Sequence, residues 1–184
     1  MTSLKKATLL FIVLFIIIGL VYPLAVTLIA ELAFPSQAHG SLIVDNNNSV
    51  IGSTLIGQNF TGPQYFQSRP SASGYDPTAS GGSNLGPTNP ALLELVTNRT
   101  SALQKAGITG PIPSDLVTAS ASGLDPHISL ESALIQVPSV AKARNLPEEE
   151  LKALVRSESI DSPFTGSYVN VLSLNQALDK KSPN

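Results

Sequence analysis

The sequence predicts an α+β protein: one N-terminal transmembrane helix followed by a single extracytoplasmic α/β domain with long ordered loops. Three observations carry this. Residues 7–30 contain no charged side chain. Residues 88–180 place apolar side chains at helical spacing, punctuated by proline and glycine. Residues 57–90, between them, are dominated by Gly, Pro, Ser, Asn and Thr, yet hold Phe60, Tyr65, Phe66 and Tyr75. The expected division is a cytoplasmic stub and membrane helix over 1–34 and the outer domain over 35–184.

The apolar run comes first. From Ala7 to Ala30 it has 24 residues, and as a helix it spans roughly 36 Å at about 1.5 Å per residue, enough for a hydrocarbon core of about 30 Å. A cleaved signal peptide has an apolar core of only about 7–15 residues, and the segment Glu31-Leu-Ala-Phe-Pro35 has no small-x-small cleavage pattern. Lys5 and Lys6 precede the run, Glu31 follows it, and no further Lys or Arg occurs before Arg69. The positive-inside rule therefore puts the N-terminus in the cytoplasm and residues 31–184 outside. The span holds no ionisable residue of the kind that marks an ion path, and one apolar helix encloses no pathway. Pro23 removes a backbone donor and should press its ring on the carbonyl of Gly19, while Gly19 lets a neighbouring helix approach closely. A kinked helix docked on a larger membrane partner and a plain anchor both fit these residues.

After a short connector, Ser41–Val44 and Ser49–Ile56 are β-branched runs separated by Asp45-Asn-Asn-Asn48, a turn signal. The aromatics in 57–90 need burial or a partner surface, so this stretch reads as an ordered irregular loop, not a tether. Asn89 and Pro90 fit the cap and first position of a helix that carries Leu92, Leu95, Val96, Leu103 and Ala106 and stops at Gly107. A second loop covers Gly110 to His127. Ser129 caps a helix from Leu130 to about Arg144, which Pro138 should kink or split. Pro147 opens a helix through about Ser157, with Glu148 and Lys152 at i,i+4 spacing. Val169–Leu172 reads as a short buried strand and Leu174–Lys180 as a last turn or helix.

Composition narrows the function. There is no cysteine, so an apolar core or a partner must supply what disulfides give other exported domains. Setting aside Lys5 and Lys6 leaves nine basic and thirteen acidic residues, a net charge of −4 for the outer part. No basic stripe with interleaved aromatics is present, which argues against nucleic acid as a partner. Two isolated histidines, His39 and His127, cannot build a typical zinc site. His127 in Leu-Asp-Pro-His, with Asp125 two residues before it and Ser120 or Ser122 nearby in sequence, lacks a Gly-x-Ser-x-Gly elbow and reads as a hydrogen-bonded loop histidine. No catalytic or metal-ligating residue is assigned. The stretch Ser80-Gly-Gly-Ser-Asn-Leu-Gly-Pro-Thr88 leads into a helix, where backbone N–H groups can hold an anion. It has no lysine followed by Ser or Thr, as a P-loop needs, and reads better as a packing loop. Arg69 stands among aromatics in Tyr65-Phe-Gln-Ser-Arg-Pro70, which suggests ring stacking plus a bidentate acceptor, in this chain or in a partner.

Six blocks, in order along the chain, carry a resemblance. They are Gly52-Ser-Thr-Leu-Ile-Gly-Gln-Asn-Phe60, Tyr65-Phe-Gln-Ser-Arg-Pro-Ser-Ala72, Ser80-Gly-Gly-Ser-Asn-Leu-Gly86 with Asn89-Pro90, Asp115-Leu-Val-Thr-Ala-Ser-Ala-Ser-Gly-Leu-Asp125, Val140-Ala-Lys-Ala-Arg144 and Val169-Asn-Val-Leu-Ser-Leu-Asn175. Together with the N-terminal span they resemble the C subunit of the Kdp-type potassium-transporting P-type ATPase. Two positions depart from that family: Ser139 stands where an arginine is usual, and Tyr168 where a basic or compact residue is common. The resemblance implies an accessory, non-enzymatic subunit in the plasma (inner) membrane of a prokaryote. Its partners would be a channel-like potassium-binding subunit, a P-type ATPase subunit that hydrolyses ATP, a small single-helix subunit and the lipid bilayer. Potassium would be the transported ion, with no tightly bound cofactor. On this basis the outer domain is expected to support assembly and to cap the external potassium entrance of the channel-like subunit, with Gln58, Phe60, Tyr65, Phe66, Arg69, Asn84, Asp125 and His127 as interface or entrance residues and Gly19 and Pro23 packing the membrane helix. The alternative the family implies is a catalytic chaperone that raises the ATP affinity of the ATPase subunit, with Gln58, Gly81, Gly82, Ser83 and Asn84 contacting nucleotide. The outward orientation sits badly with that alternative.

Overall fold

The computed structural model describes residues 2–45 and 48–181. Asn46 and Asn47, the centre of the expected turn after Val44, lie outside the described residues. The chain divides into two compact units, residues 1–51 and residues 52–184.

The first unit is built on one 32-residue helical stretch, Thr2–Ala33, long and apolar enough to cross a membrane. It consists of α1 (Thr2–Ile16), a wide π-turn (Ile17–Val21) and α2 (Tyr22–Ala33). It is apolar all round and no side chain in it is buried within the chain, as expected of a helix whose surroundings are lipid or another protein. Pro23 does not break it. The winding opens upstream, where the Tyr22 N–H bonds to the carbonyl of Ile17, five residues back. The extra residue in that turn makes room for the proline ring. Phe34 leaves the helical conformation ahead of Pro35, as the residue before a proline tends to. A single turn, α3 (Pro35–Ala38), and the strand β1 (Leu42–Val44) follow, and β2 (Val50–Ser53) pairs with β1 and carries the chain into the second unit.

In the second unit, α4 (Pro90–Lys105) starts as the sequence predicts: the Asn89 side chain accepts from the Ala91 N–H at 2.9 Å and Pro90 takes the first position. A 3-10 turn (Ser114–Leu116) leads to β3 (His127–Ser129) and α5 (Leu130–Arg144), and Ser129 accepts from the Ser132 N–H to cap α5. Pro138 does not split α5, which is continuous to a left-handed Asn145 at φ 54°. The ring of Pro138 lies on the exposed side of the helix, where it displaces no core residue. In α6 (Glu148–Ser157) three glutamates occupy the first turn, favoured by the helix dipole. Lys152 lies 2.7 Å from Glu149 and 3.9 Å from Glu148, so the i,i+3 pair is tighter than the expected i,i+4 pair.

The expected strand over 169–172 is half strand and half helix. β5 (Tyr168–Asn170) passes directly into α7 (Val171–Lys181), with the Asn170 side chain accepting from the Ser173 N–H. A short apolar run does not distinguish the two states by periodicity. β5 is the centre of an antiparallel sheet ordered β3-β5-β4, with β4 being Ser159–Ile160. Ile128 lies opposite Val169, Ser129 opposite Tyr168, and Ser159 also opposite Val169. The strand placement of His127 corrects the expected loop histidine: its neighbours in sequence are too polar to show an alternating pattern. Helices α5, α6 and α7 bury Val137, Val140, Leu151, Val155, Leu174 and Leu178 in one cluster with Ile128 and Val169 of the sheet. A second cluster joins Leu103 of α4 to Ile108, Leu116 and Val117.

The irregular stretch 57–90 is held to this core by side-chain amides. Asn175 of α7 accepts from the Phe66 N–H and donates to the Phe66 carbonyl, both at 2.9 Å. Gln136 of α5 accepts from the Gln67 N–H at 2.7 Å. Two buried amides thus supply the backbone partners that a sheet would otherwise provide.

Candidate functional site

Arg69, at the end of the pinned segment, meets Asp125, which the backbone delivers to the entrance of β3. Arg69 Nη1 donates to Asp125 Oδ2 at 3.0 Å, with about a quarter of each side chain exposed. The other oxygen, Oδ1, accepts from the His127 backbone N–H at 2.9 Å and lies 3.5 Å from His127 Nδ1. The His127 ring stands edge-on to Tyr168, with centroids 4.9 Å apart and planes at 76°. The carbonyl of Arg69 is in turn the acceptor for the Tyr75 hydroxyl. Arg69 Nε is buried without a hydrogen-bond partner in the chain.

Burial favours the neutral form of Asp125, but the hydrogen bonds from His127 and the positive charges of Arg69 and His127 outweigh it and hold the carboxyl below the usual carboxylate range. The sign of the pH effect follows. A carboxyl depressed in the folded state contributes stability that is complete above its unfolded value, about 3.9, and is lost as pH falls through the lower folded value. Acid unfolding of the full chain should therefore steepen below about pH 4, and Asp125→Asn should flatten that part of the curve; circular dichroism across an acid titration measures it.

Arg69, Asp125, His127 and Tyr168 line an open cleft of about 540 Å³, completed by Asp115, Ile128, Ser129, Ser162, Thr165 and Ser167. Arg69 and Asp125 also border a second cleft of about 500 Å³ with Leu55, Ser120 and Leu124. An open cleft of mixed polar and apolar lining suits contact with another protein. It lacks the convergent ligands of a metal cage: among the described residues no group of three His, Asp or Glu side chains is placed to hold a metal.

The other candidates are dispersed. Phe60 and Tyr65 pack together at 5.6 Å, and Tyr65 lies under the Arg144 guanidinium at 4.9 Å, so the ring stacking expected of Arg69 is made by Arg144. Phe66 is fully buried in the core. Gln58 lies over Gly52, where any side chain would collide with it, and its carbonyl accepts from the Ser68 hydroxyl. In the glycine-rich loop, the Gly81 N–H and the Ser80 hydroxyl both donate to the Ser122 carbonyl, and a side chain on Gly82 would sit 3.0 Å from the Ala121 carbonyl oxygen. Ser83 and Asn84 are exposed, the latter with φ 54°. Ser139 donates to the Ala106 carbonyl at 2.8 Å, tying α5 to the end of α4. Tyr168 and the loop 161–167 were not among the sequence candidates. The turn composition of Asp161-Ser-Pro-Phe-Thr-Gly166 was the available signal.

The family profile described as K+-transporting ATPase, c chain (KdpC), matches residues 4–180. The chain belongs to the KdpC family. A potassium-transporting ATPase KdpC subunit of Methanosphaerula palustris is 55% identical over 96% of both chains. That of Geotalea uraniireducens is 55% identical over 99% of this chain and all of its own, and that of Geobacter sulfurreducens 52% over the whole of both. The resemblance read from the six blocks is thus borne out. The KdpC match includes the N-terminal helix as well as the outer blocks.

Proposed function

We propose that this chain is an accessory, non-catalytic subunit of an ATP-driven potassium uptake complex. Residues 2–33 anchor it in the plasma membrane with the amino end in the cytoplasm, and the outer domain caps the external potassium entrance of the channel-like subunit. The P-type ATPase subunit and the small single-helix subunit complete the complex. The observation that carries this reading is the cleft bordered by Arg69, Asp125, His127 and Tyr168. It is open and bordered by charged and hydroxyl-bearing residues, as a surface that shapes cation approach without trapping the ion needs to be. Both oxygens of Asp125 are engaged, one by Arg69 and one by the His127 N–H, which favours a docking or guiding role over one as a free general base. Gln58, Phe60, Tyr65 and Asn84 remain interface candidates around it. The nucleotide-contact reading of the loop 81–84 has less support, because its inner backbone is already bonded to Ser122.

Deletion of residues 35–184 tests the proposal: assembly and high-affinity potassium uptake should both be lost, and persistence of both would remove the capping role. A reporter that works only outside the cytoplasm, fused after Asn184, should be active. Activity instead of a cytosol-only reporter at that position would reverse the orientation and restore the nucleotide alternative.

A further inference from the structure

The span contains a backbone acceptor that the helix itself does not satisfy. The Tyr22 N–H, which ordinary α winding would give to Ile18, is bonded to the Ile17 carbonyl. The next donor along, the one that π winding would use, belongs to Pro23 and does not exist. Ile18 lies eleven residues from Ala7 and twelve from Ala30, at the centre of the apolar run. An unpaired carbonyl at that depth has no water to bond to and is costly. Polar side chains of the span do not supply a donor. The Thr8 hydroxyl donates to the Leu4 carbonyl at 2.9 Å, Thr27 is roughly 13 Å further along the axis, and the Tyr22 ring is exposed. Next to this carbonyl stands Gly19, where an added Cβ would meet only the Phe15 ring, at 3.9 Å, so another helix can approach the backbone there.

We propose that the Ile18 carbonyl accepts a hydrogen bond from a polar side chain on a transmembrane helix of another subunit, packed against Gly19 at mid-bilayer. This rests on the reading of the chain as a membrane subunit. In a parallel pair, the orientation set for both by Lys5 and Lys6, Thr8 and Thr27 of a second copy lie about 13–15 Å from this level, which leaves Tyr22 as its one hydroxyl within reach. A subunit whose helices line an ion path must carry polar side chains at that level. The contact also accounts for a proline in mid-span, since neighbouring helices are what make such prolines tolerable in lipid.

The test uses the whole complex. Ile-Gly pairs occur only at Ile18, Ile51 and Ile56. With valine at positions 51 and 56, 13C-carbonyl isoleucine and 15N-glycine therefore single out the Ile18 carbonyl in solid-state NMR. Its signal should move downfield in the assembled complex relative to the chain alone in the same lipid. Pro23→Leu, which returns an N–H to the helix, should make the chain leave the complex in mild detergent ~3- to 20-fold faster, with the outer domain still folded by circular dichroism. An unchanged signal, or a Pro23→Leu chain that leaves at the wild-type rate, overturns the proposal while co-purification leaves the subunit reading intact. A wild-type chain that co-purifies with no membrane subunit sinks that reading instead. A downfield signal already present in the chain alone, with self-crosslinking, makes a second copy the occupant and also overturns the proposal.

Discussion

Phe66→Ala should destabilise the second unit by about 3–5 kcal/mol, the range for truncating a fully buried phenylalanine. The ring has no exposed surface and lies in the main cluster with Val137, Val140, Leu174 and Leu178. Its backbone is clamped at both N–H and carbonyl by Asn175, so the chain cannot shift to refill the cavity, and the cost should fall at the upper end. Thermal unfolding of the full chain in detergent measures it, and a drop of Tm on the order of 10 °C is expected for a domain of this size. Arg69 lies three residues on, so the mutant should also bind its partners less well at temperatures where it is still largely folded. A Tm within a few degrees of wild type would show that the cluster does not depend on this ring.

Asp179→Ala should be nearly as damaging, and more so than Arg144→Met. Arg144 is almost wholly buried, with 2% of its side chain exposed, whereas Asp179 is 42% exposed. Arg144 Nη2 donates to Asp179 Oδ1, its Nε donates to the Gln64 carbonyl at 2.9 Å, and the Tyr65 hydroxyl donates to Asp179 Oδ2 at 3.2 Å. Removing the acid takes the carboxylate from a buried guanidinium that keeps only its other contacts, a loss of about 3 kcal/mol. Removing the arginine leaves a carboxylate that water can reach, and methionine fills much of the space, so that variant should lose less, at the lower end of the about 1.5–3 kcal/mol that hydrogen bonds to a charged group are worth. Denaturant unfolding of the two variants side by side gives the order. The reverse order would mean that Asp179, not Arg144, is the group the fold must shield.

The long elements were legible because their signals are local. Asn89-Pro90, Ser129 and the uncharged run from Ala7 to Ala30 each announce a helix within a few residues. The sheet was not. β3 and β4 are two or three residues long, too short for an alternating pattern, and β5 turns into a helix without a break. Of the site, the sequence singled out Arg69 on the one hand and Asp125 with His127 on the other, because a lone arginine and a histidine beside an aspartate stand out in a chain so poor in charge. It did not show that Arg69 and Asp125, 56 positions apart, form the pair, nor that Tyr168 stands under His127. Those depend on the register of β3 against β5. Phe66 settles a choice that the sequence left open. An aromatic in a polar loop needs burial or a partner surface, and this one is buried in the domain's own core, with its segment held by Asn175 and Gln136.

The amide clamp of Asn175 joins positions 109 apart in sequence, and Asp179, which steadies Tyr65, lies beyond it. Both are synthesised more than a hundred residues after Phe66. Contacts between such distant positions bear the full entropy of closing the intervening loop before they return anything. While the chain is still being made, Gln136 and Asp125 can already hold Gln67 and Arg69, but the clamp on Phe66 closes only when Asn175 has been added. A chain stopped short of Asn175 therefore lacks the contact that fixes Phe66 at both its N–H and its carbonyl.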